Sequence, residues 1–282
     1  MGPPNTGKSS LLNALLGEKL AIVTHKAQTT RHRLRGIVST DDYQMVISDT
    51  PGHLEPKYAL QEAMMAALYQ SLEEADLLVY VTTPFDRSSA LPEVLNRPEA
   101  RDRPWILVFN KIDEAGEQRL QDAVAHWEPL ISPERMVPIS VRHHFNLKVL
   151  QQKMVDALPE HPPYFEEDLF TDRSERFIAE EIIREQVIHA YHQEIPYATE
   201  VVITAFKDLD QQLRIHADLM MDKGSQKGII IGKDGRALSR LGQASRESLQ
   251  QFFGKPVYLD LYVKVRRHWR NNKDWLRRLG YQ

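Results

Sequence analysis

Cysteine is absent from this sequence of 282 residues. Its absence excludes disulfide bonds and thiolate metal sites, and it fits a reducing compartment. The sequence also lacks any apolar run near the roughly 18 residues that span a bilayer, and it shows no secretory signal. We therefore expect a cytoplasmic protein, and we keep open a peripheral association with the inner face of the membrane.

A strong overall charge is also lacking, because the formal net charge is −3. This small value hides an asymmetry: residues 220–282 contain 14 Lys and Arg against 5 Asp and Glu, a net charge of +9, whereas the remainder has a net charge of −12. A basic region of this kind is typical of proteins that bind polyanions. The length indicates more than one domain. A hydrophobic content of 42% is typical of globular proteins.

The first motif present is Gly2-Pro3-Pro4-Asn5-Thr6-Gly7-Lys8-Ser9, followed by an apolar run typical of a helix. Glycines allow backbone N–H groups to surround phosphate oxygens, Lys8 reaches the terminal phosphates, and the Ser9 hydroxyl suits Mg²⁺. The helix that follows points the positive end of its dipole at the anion. The predicted nucleotide contacts in this segment are Gly2, Asn5, Thr6, Gly7, Lys8, Ser9 and Ser10.

Strand and helix patterns alternate after this motif. Two extended runs, 34–40 and 43–48, predict a hairpin, and later apolar strands are separated by helical patterns. This alternation predicts an α/β domain, a mostly parallel sheet with helices on both faces. Three strands end in polar residues, and the carboxyl ends of such strands form the ligand site of open α/β sheets. These residues are Asp49, Asn110 to Asp113, and Ser140.

Each polar cluster suits one part of a guanine nucleotide. Asp49 in Asp-Thr-Pro-Gly can hold Mg²⁺ through water, and the Gly52 N–H can meet a terminal phosphate. The Asp113 carboxylate in Asn-Lys-x-Asp accepts from two adjacent N–H donors of guanine, which adenine does not offer. The Lys111 stem lies along the base, and Asn110 bridges to the phosphate loop. Alone, each motif is typical of a turn or a helix cap; together, in this order, they favour a nucleotide site.

The C-terminal part has a different organisation. Residues 159–173 are rich in proline and acidic residues and predict a linker. The order helix, strand, strand, Gly-x-x-Gly, helix, strand over 174–282 is typical of a bacterial-type KH domain, whose loop clamps single-stranded RNA. Ile229 to Ile231 and Leu238 to Leu241 are predicted to form an apolar platform for the bases. The predicted RNA contacts are Lys227, Gly228, Gly232, Lys233, Asp234, Gly235 and Arg236.

These motifs resemble those of the Era family, bacterial ribosome-assembly GTPases. The segments that carry the resemblance are Gly2 to Ser9, Gln28-Thr29-Thr30-Arg31, Asp49 to Gly52, Asn110 to Asp113, Ser225 to Gly235 and Val263 to Trp269.

The resemblance implies a Ras-like phosphate-loop GTPase domain over 1–158 and a type II KH domain over 174–282. It implies GTP or GDP and Mg²⁺ as ligands, slow hydrolysis, and binding near the 3′ end of small-subunit ribosomal RNA during assembly of the small ribosomal subunit; no DNA partner is expected. Thr30 would be the switch threonine, and Ser140 and Val141 would contact the base. The implied metal ligands are Ser9, Thr30 and Asp49, and the implied catalytic residues are Lys8, Thr30 and Gly52.

Three departures from the family pattern, and one match to potassium-activated GTPases, affect these expectations. Val141 replaces an alanine whose contact is mainly through the backbone. His53 follows Gly52 where relatives have an apolar residue, and we interpret it as a solvated loop histidine. Only Met1 precedes Gly2, so we expect the strand before the loop to be missing and the loop to lack an anchor. Asn5 occupies the K⁺-ligand position of potassium-activated GTPases, so K⁺ activation is a hypothesis.

Two other functions remain open at this point. The first is an RNA-binding assembly scaffold whose nucleotide domain is vestigial, which the missing strand motivates. The second is an ATP-dependent enzyme, which Asp113 opposes.

Overall fold

A computed structural model describes residues 1–24, 26, 29–86, 93–101 and 103–281. By their internal contacts the residues form two compact units. The first contains Met1–Glu55 and Met64–Asp172, and the second contains Pro56–Ala63 and Arg173–Gln282.

The first unit begins with the phosphate motif and a hairpin. Helix α1 is bounded by two glycines, Gly7 before it and Gly17 after it, and both have positive φ. The predicted hairpin is confirmed: β1 and β2 pair antiparallel, with Leu34 opposite Asp49 and Ser39 opposite Gln44. These elements are α1 (Lys8–Leu16), β1 (Leu34–Ser39), β2 (Gln44–Asp49) and α2 (Ala59–Glu74), whose residues up to Ala63 are grouped with the second unit.

The rest of this unit contains the predicted parallel sheet. Strands β3, β4 and β5 lie in this order and run parallel. Leu107, Val108 and Phe109 of the central strand are fully buried, as expected for a strand covered on both faces. The elements are β3 (Leu78–Thr82), α3 (Glu93–Asn96), α4 (Pro98–Arg101), β4 (Trp105–Phe109), α5 (Glu117–Trp127), β5 (Met136–Pro138) and α6 (Leu147–Asp156).

A cavity of about 560 Å³ lies between the hairpin and β3, lined by apolar side chains from α1, β2 and β3 and by charged ones that include Lys8, Arg33 and Glu74. Met1 lines it and pairs with β3: its amino group donates to the Val79 carbonyl at 2.9 Å, and its carbonyl accepts from Val81 N–H at 2.9 Å. As expected, the structure describes no strand before the phosphate loop. The expectation that the loop lacks an N-terminal anchor is wrong, because these two bonds attach Met1, the residue before the loop, to the sheet.

The segment predicted as a linker is bound to the hairpin at two places, near its middle and near its end. Gln44 exchanges hydrogen bonds with the backbone of Tyr164 and Phe165, and Thr171 forms an isolated antiparallel bridge with Gly36. Arg35 adds an ion pair with Asp172 at 2.9 Å. These contacts group residues up to Asp172 with the first unit.

The second unit is a three-stranded sheet with helices on one face. Strand β7 is central, antiparallel to β6 and parallel to β8. The apolar alternate residues of all three strands share one core with α7 and α10. The elements are α7 (Glu175–Ala190), α8 (Ile195–Ala198), β6 (Thr199–Leu209), β7 (Gln212–Met221), α9 (Gly224–Ile231), α10 (Arg236–Phe253), β8 (Val257–Val265) and α11 (Lys273–Arg278).

Helix α9 was not predicted. Its sequence contains two glycines and three consecutive isoleucines, which show no helical periodicity. The Gln226 side-chain carbonyl accepts from Lys223 N–H at 2.9 Å and stabilises the first turn, and Ile230 is fully buried. Tertiary packing therefore decides this element. Within the described ranges, no helix has both the length and the hydropathy needed to cross a membrane.

We expect a half-buried carboxyl group to make the second unit sensitive to pH. Glu180 on α7 accepts a hydrogen bond from Ile203 N–H at 2.8 Å, and burial raises the pKa of Glu180 to about 7. Because the folded pKa exceeds the unfolded one, its stabilising contribution is complete below the unfolded pKa and is lost as pH rises through about 7.

We predict that Glu180→Gln stabilises the protein at pH 8 by about 2 kcal/mol but has little effect at pH 5, since glutamine keeps the acceptor without the charge. Thermal unfolding of wild type and variant between pH 5 and pH 8 measures this difference. Glu175→Gln, at an exposed position of α7, is the control and should show no such trend. A constant difference between Glu180→Gln and wild type across this range contradicts the prediction.

Candidate functional site

The phosphate loop requires glycine at two positions. Gly2 has φ 135°, and a Cβ there would lie 2.0 Å from the Val81 carbonyl oxygen. Gly7 has φ 93°, and a Cβ there would lie 2.3 Å from the Asn110 amide nitrogen. Both positions combine a left-handed conformation with a close approach of backbone to neighbouring groups, so the sequence motif reflects a steric requirement.

Lys8 is held across this loop. Its Nζ donates to the Pro3 carbonyl at 2.6 Å, and the Thr6 hydroxyl donates to the same oxygen at 3.0 Å. Burial lowers the pKa of Lys8, while the Asp49 carboxylate acts in the opposite direction. The ammonium group therefore lies in a sheltered position at the loop, where an anionic ligand would both pair with it and favour its charged form.

The three predicted metal ligands converge, although they come from α1, a loop and β2. Ser9 Oγ donates to Asp49 Oδ2 at 2.7 Å, and Thr30 Oγ1 donates to the same atom at 3.1 Å. The two hydroxyls are 3.4 Å apart. One carboxylate with two hydroxyls is a hard oxygen donor set, which fits Mg²⁺ completed by water and phosphate oxygens.

Asn110 connects the phosphate loop with the base-binding segments, as the sequence predicted. Its side-chain amide donates to the Thr6 carbonyl at 2.8 Å and its side-chain oxygen accepts from Val141 N–H at 3.1 Å. Its own backbone N–H donates to the Thr82 carbonyl at 2.9 Å, and only 3% of the residue is exposed. One buried side chain therefore positions both halves of the site.

Asp113 is prepared to accept hydrogen bonds from a base. Ser140 Oγ donates to its Oδ1 at 2.6 Å, and the His143 ring nitrogen lies 3.7 Å from its Oδ2. The Ser140 hydrogen bond is the main cause of a lowered pKa for Asp113. The carboxylate is therefore ionised at neutral pH. Lys111 adopts a left-handed conformation, with φ 63°, at the start of the short 3₁₀ turn that carries Asp113.

A small cavity of about 70 Å³ marks the phosphate end of the site. Sequence reasoning missed some of its lining, including Thr24 and Lys26; the only signal for Lys26 was a cation in a polar loop. His53 is exposed, with its ring 6.5 Å from that of Tyr69, in line with a solvated loop histidine. Gln28 of the resemblance lies outside the described residues. Predicted residues that line the cavity are Asn5, Gly7, Lys8, Ser9, Ser10, Thr30 and Gly52.

The predicted RNA loop connects α9 with α10. Gly232 has φ 71° and Gly235 has φ 75°, and a Cβ at Gly232 would lie 2.6 Å from the Cβ of Ala237. The backbone N–H groups at the start of α10, an 18-residue helix, adjoin this loop and add the positive end of its dipole. The exposed predicted contacts are Lys227, Gly228, Lys233, Asp234 and Arg236.

The predicted apolar platform is only partly present. Ile230 on α9 and Leu241 on α10 belong to the core, with 0% and 2% exposure. Their neighbour Ile229 is 51% exposed. Trp269 is also fully buried and its ring nitrogen donates to the Ala198 carbonyl at 3.1 Å. Trp275 instead lies between the guanidinium groups of two arginines, Arg266 and Arg278.

Fold and site together define a class: a phosphate-loop GTPase joined to a KH domain. Family models match both parts, a 50S ribosome-binding GTPase over residues 1–111 and a KH domain over residues 194–270. The whole chain is 41% identical to GTPase Era of Caldanaerobacter subterraneus subsp. tengcongensis, over 95% of that protein, and 39% identical to GTPase Era of Clostridium beijerinckii. The chain belongs to the Era family of GTPases.

Solved structures agree with this assignment. A variant of Aquifex aeolicus Era bound to GDP and AlF₄⁻ superposes with a TM-score of 0.92 at 36% identity, covering 99% of this chain and 96% of that one. Era in complex with MgGDPNP and nucleotides 1506–1542 of 16S ribosomal RNA gives a TM-score of 0.91. The convergence of the predicted nucleotide residues contradicts the alternative of a vestigial nucleotide domain.

We predict that Asn110→Ala destabilises the first unit by roughly 2–4 kcal/mol, because it leaves the Thr6 carbonyl and the Val141 N–H buried without this partner. Hydrogen exchange should show faster opening of the phosphate loop and of residues 140–146. Gln118→Ala on the surface of α5 is the control. Unchanged exchange in the phosphate loop contradicts this role for Asn110.

Proposed function

We propose that this GTPase is a nucleotide-dependent switch that binds small-subunit ribosomal RNA and assists assembly of the small ribosomal subunit. The observation that carries the proposal is the shared Asn110 side chain, which joins the phosphate loop to the segment at Ser140 and Val141. The Ser140 hydroxyl in turn holds the Asp113 carboxylate, the group that would select guanine. The RNA partner is supported by the Era complex with the 3′ region of 16S ribosomal RNA and by the KH loop of this chain.

In this proposal the guanine base lies between Lys111 and the segment at Ser140 and Val141. The Asp113 carboxylate accepts hydrogen bonds from the N1–H and the exocyclic amino group of the base. Adenine offers no such pair of donors, so ATP would leave the carboxylate unpaired, which is a large cost at a desolvated site. The nucleotide preference follows from this one carboxylate.

At the phosphate end, the loop from Gly2 to Ser10 surrounds the phosphates and Lys8 neutralises the terminal ones. Ser9, Thr30 and Asp49 would hold Mg²⁺, which supplies charge neutralisation for phosphoryl transfer. The Gly52 N–H contacts the terminal phosphate. The positions of Thr30 and Gly52 therefore both depend on whether that phosphate is bound. We propose slow intrinsic hydrolysis, and K⁺ activation through Asn5 remains part of the hypothesis.

At the RNA end, Gly232 and Gly235 allow phosphates to approach the backbone, and Lys233 with Arg236 supplies positive charge. If GTP and RNA favour the same conformation, each must raise the affinity for the other by the same factor. RNA should then also increase hydrolysis. We propose the cytoplasm as the place of action, with peripheral contact to the inner membrane face through the basic region as a secondary possibility.

For the domain boundaries, we propose a GTPase domain over 1–158 and a KH domain over 174–282, connected by 159–173. Hairpin contacts of Phe165 and Asp172 support a connection that is held on the GTPase side.

We predict that Asp113→Asn lowers the affinity for GDP by at least 100-fold and raises the affinity for xanthosine diphosphate. Asparagine offers one acceptor and one donor, which match the N1–H and the C2 carbonyl of xanthine. Titration of fluorescent GDP, XDP and ADP measures the exchange in preference, with Glu114→Gln, an exposed neighbour, as the control. Equal affinity of wild type for ADP and GDP would overturn guanine selectivity.

We predict that Lys233→Glu weakens single-stranded RNA binding at least tenfold. It should also reduce the slope of log affinity against log salt concentration by about 0.7, the value for one lost phosphate contact. Lys148→Glu on the exposed surface of α6 makes the same change of charge in the other unit and is the control. Fluorescence anisotropy at several salt concentrations measures both effects. An unchanged salt slope for Lys233→Glu means that this loop does not contact phosphates.

A further inference from the structure

The three-stranded sheet of the second unit has one face that its helices do not use. Alternation along β7 and β8 directs Leu213, Ile215, Leu259 and Leu261 into the core with α7 and α10. The intervening residues lie on the opposite face, where the strand register places Arg214 beside Tyr258 and His216 beside Asp260.

One end of this opposite face is covered by the C-terminal segment. Tyr281 Oη donates to Glu200 Oε2 at 2.9 Å, and both Glu200 and Met220 are buried. The other end is open. There Tyr258 and Tyr262 on the edge strand β8 are 44% and 52% exposed. We call this open end the tyrosine face; its residues are Lys207, Arg214, His216, Tyr258 and Tyr262.

The Tyr258 ring has contacts on the sheet while it faces solvent. The Arg214 guanidinium lies 5.5 Å from the centroid of the Tyr258 ring, and the His216 ring lies 6.3 Å from it. A hydrogen bond with Asp260 orients the Tyr258 hydroxyl and raises the pKa of that group. Four residues along one strand separate the two tyrosines by about 13 Å, which suits two separate bases of an extended chain.

The charges of this face complement phosphates. Lys207 and Arg214 are register partners on β6 and β7, beside Tyr258, and both are exposed. Two carboxylates lie on the same side of the sheet as the tyrosine face, and each contacts a nitrogen group: Asp260 contacts His216 at 3.3 Å and Asp218 contacts Lys264 at 2.7 Å. Exposed aromatic rings flanked by cations are the features with which proteins stack single-stranded bases without sequence preference.

We propose that the tyrosine face is a second contact for single-stranded RNA, in which bases stack on Tyr258 and Tyr262 while Lys207 and Arg214 contact the backbone. This inference rests on the proposed RNA-binding function and extends it from the loop at Gly232 to Gly235 onto a separate surface. It implies that affinity increases with RNA length beyond the few nucleotides that the loop holds.

The test uses the full chain with the double variant Tyr258→Ala/Tyr262→Ala and two fluorescent oligouridines, of 4 and 12 nucleotides. We expect at least tenfold weaker binding of the 12-mer and less than a twofold change for the 4-mer, because the 4-mer occupies the loop alone. Tyr258→Phe/Tyr262→Phe keeps both rings and should bind both oligonucleotides like wild type. Circular dichroism checks that each variant is folded.

Unchanged 12-mer affinity in the alanine variant overturns the proposal, as expected if the face docks a protein instead. An equal loss for both oligonucleotides also overturns it, since that pattern indicates an indirect effect on the loop. Lys233→Glu separates the two sites: it should weaken the 4-mer, and if it does not, the loop assignment fails while the tyrosine-dependent loss for the 12-mer stands.

Discussion

The buried amide of Asn110 is the interaction on which the nucleotide site depends. It lies at the end of β4 and makes hydrogen bonds to the phosphate loop and to the segment after β5, two parts of the chain more than 130 residues apart. A substituent at Gly7 would displace it, so the glycine and the asparagine require each other. Selectivity for guanine and capture of phosphate are therefore one structural arrangement, not two independent sites.

Both ligand loops use the same physical device. A loop containing glycines with positive φ leads directly into the N-terminus of a helix, α1 after Gly7 and α10 after Gly235. In each case a lysine, Lys8 or Lys233, adds a charge to the backbone N–H groups and the helix dipole. One chain thus applies this device to a nucleotide and to an RNA backbone, and the tyrosine face would add base stacking, which the loops do not provide.

Much of the fold was predictable because local patterns and tertiary packing agree. The predicted hairpin at 34–48 and the predicted order of long helices and strands over 174–282 coincide with the observed elements. Helix α9 was missed because its core contacts, not its periodicity, stabilise it. The attachment of Thr171 to β1 was missed because an irregular, proline-rich segment gives no local sign of a distant partner.

The sequence by itself determined the proposed ligand chemistry, a guanine-selective carboxylate at Asp113 and two glycine loops for phosphates, since these proposals depend on residue type and short spacing. Only the tertiary structure decided which distant groups meet. The hydroxyls of Ser9 and Thr30 both donate to one carboxylate oxygen of Asp49. The side chains of Ile230 and Leu241 are buried in the core and are not exposed to an RNA ligand. The tyrosine face exists only because strand register places Arg214 beside Tyr258, and register is a property of the folded sheet.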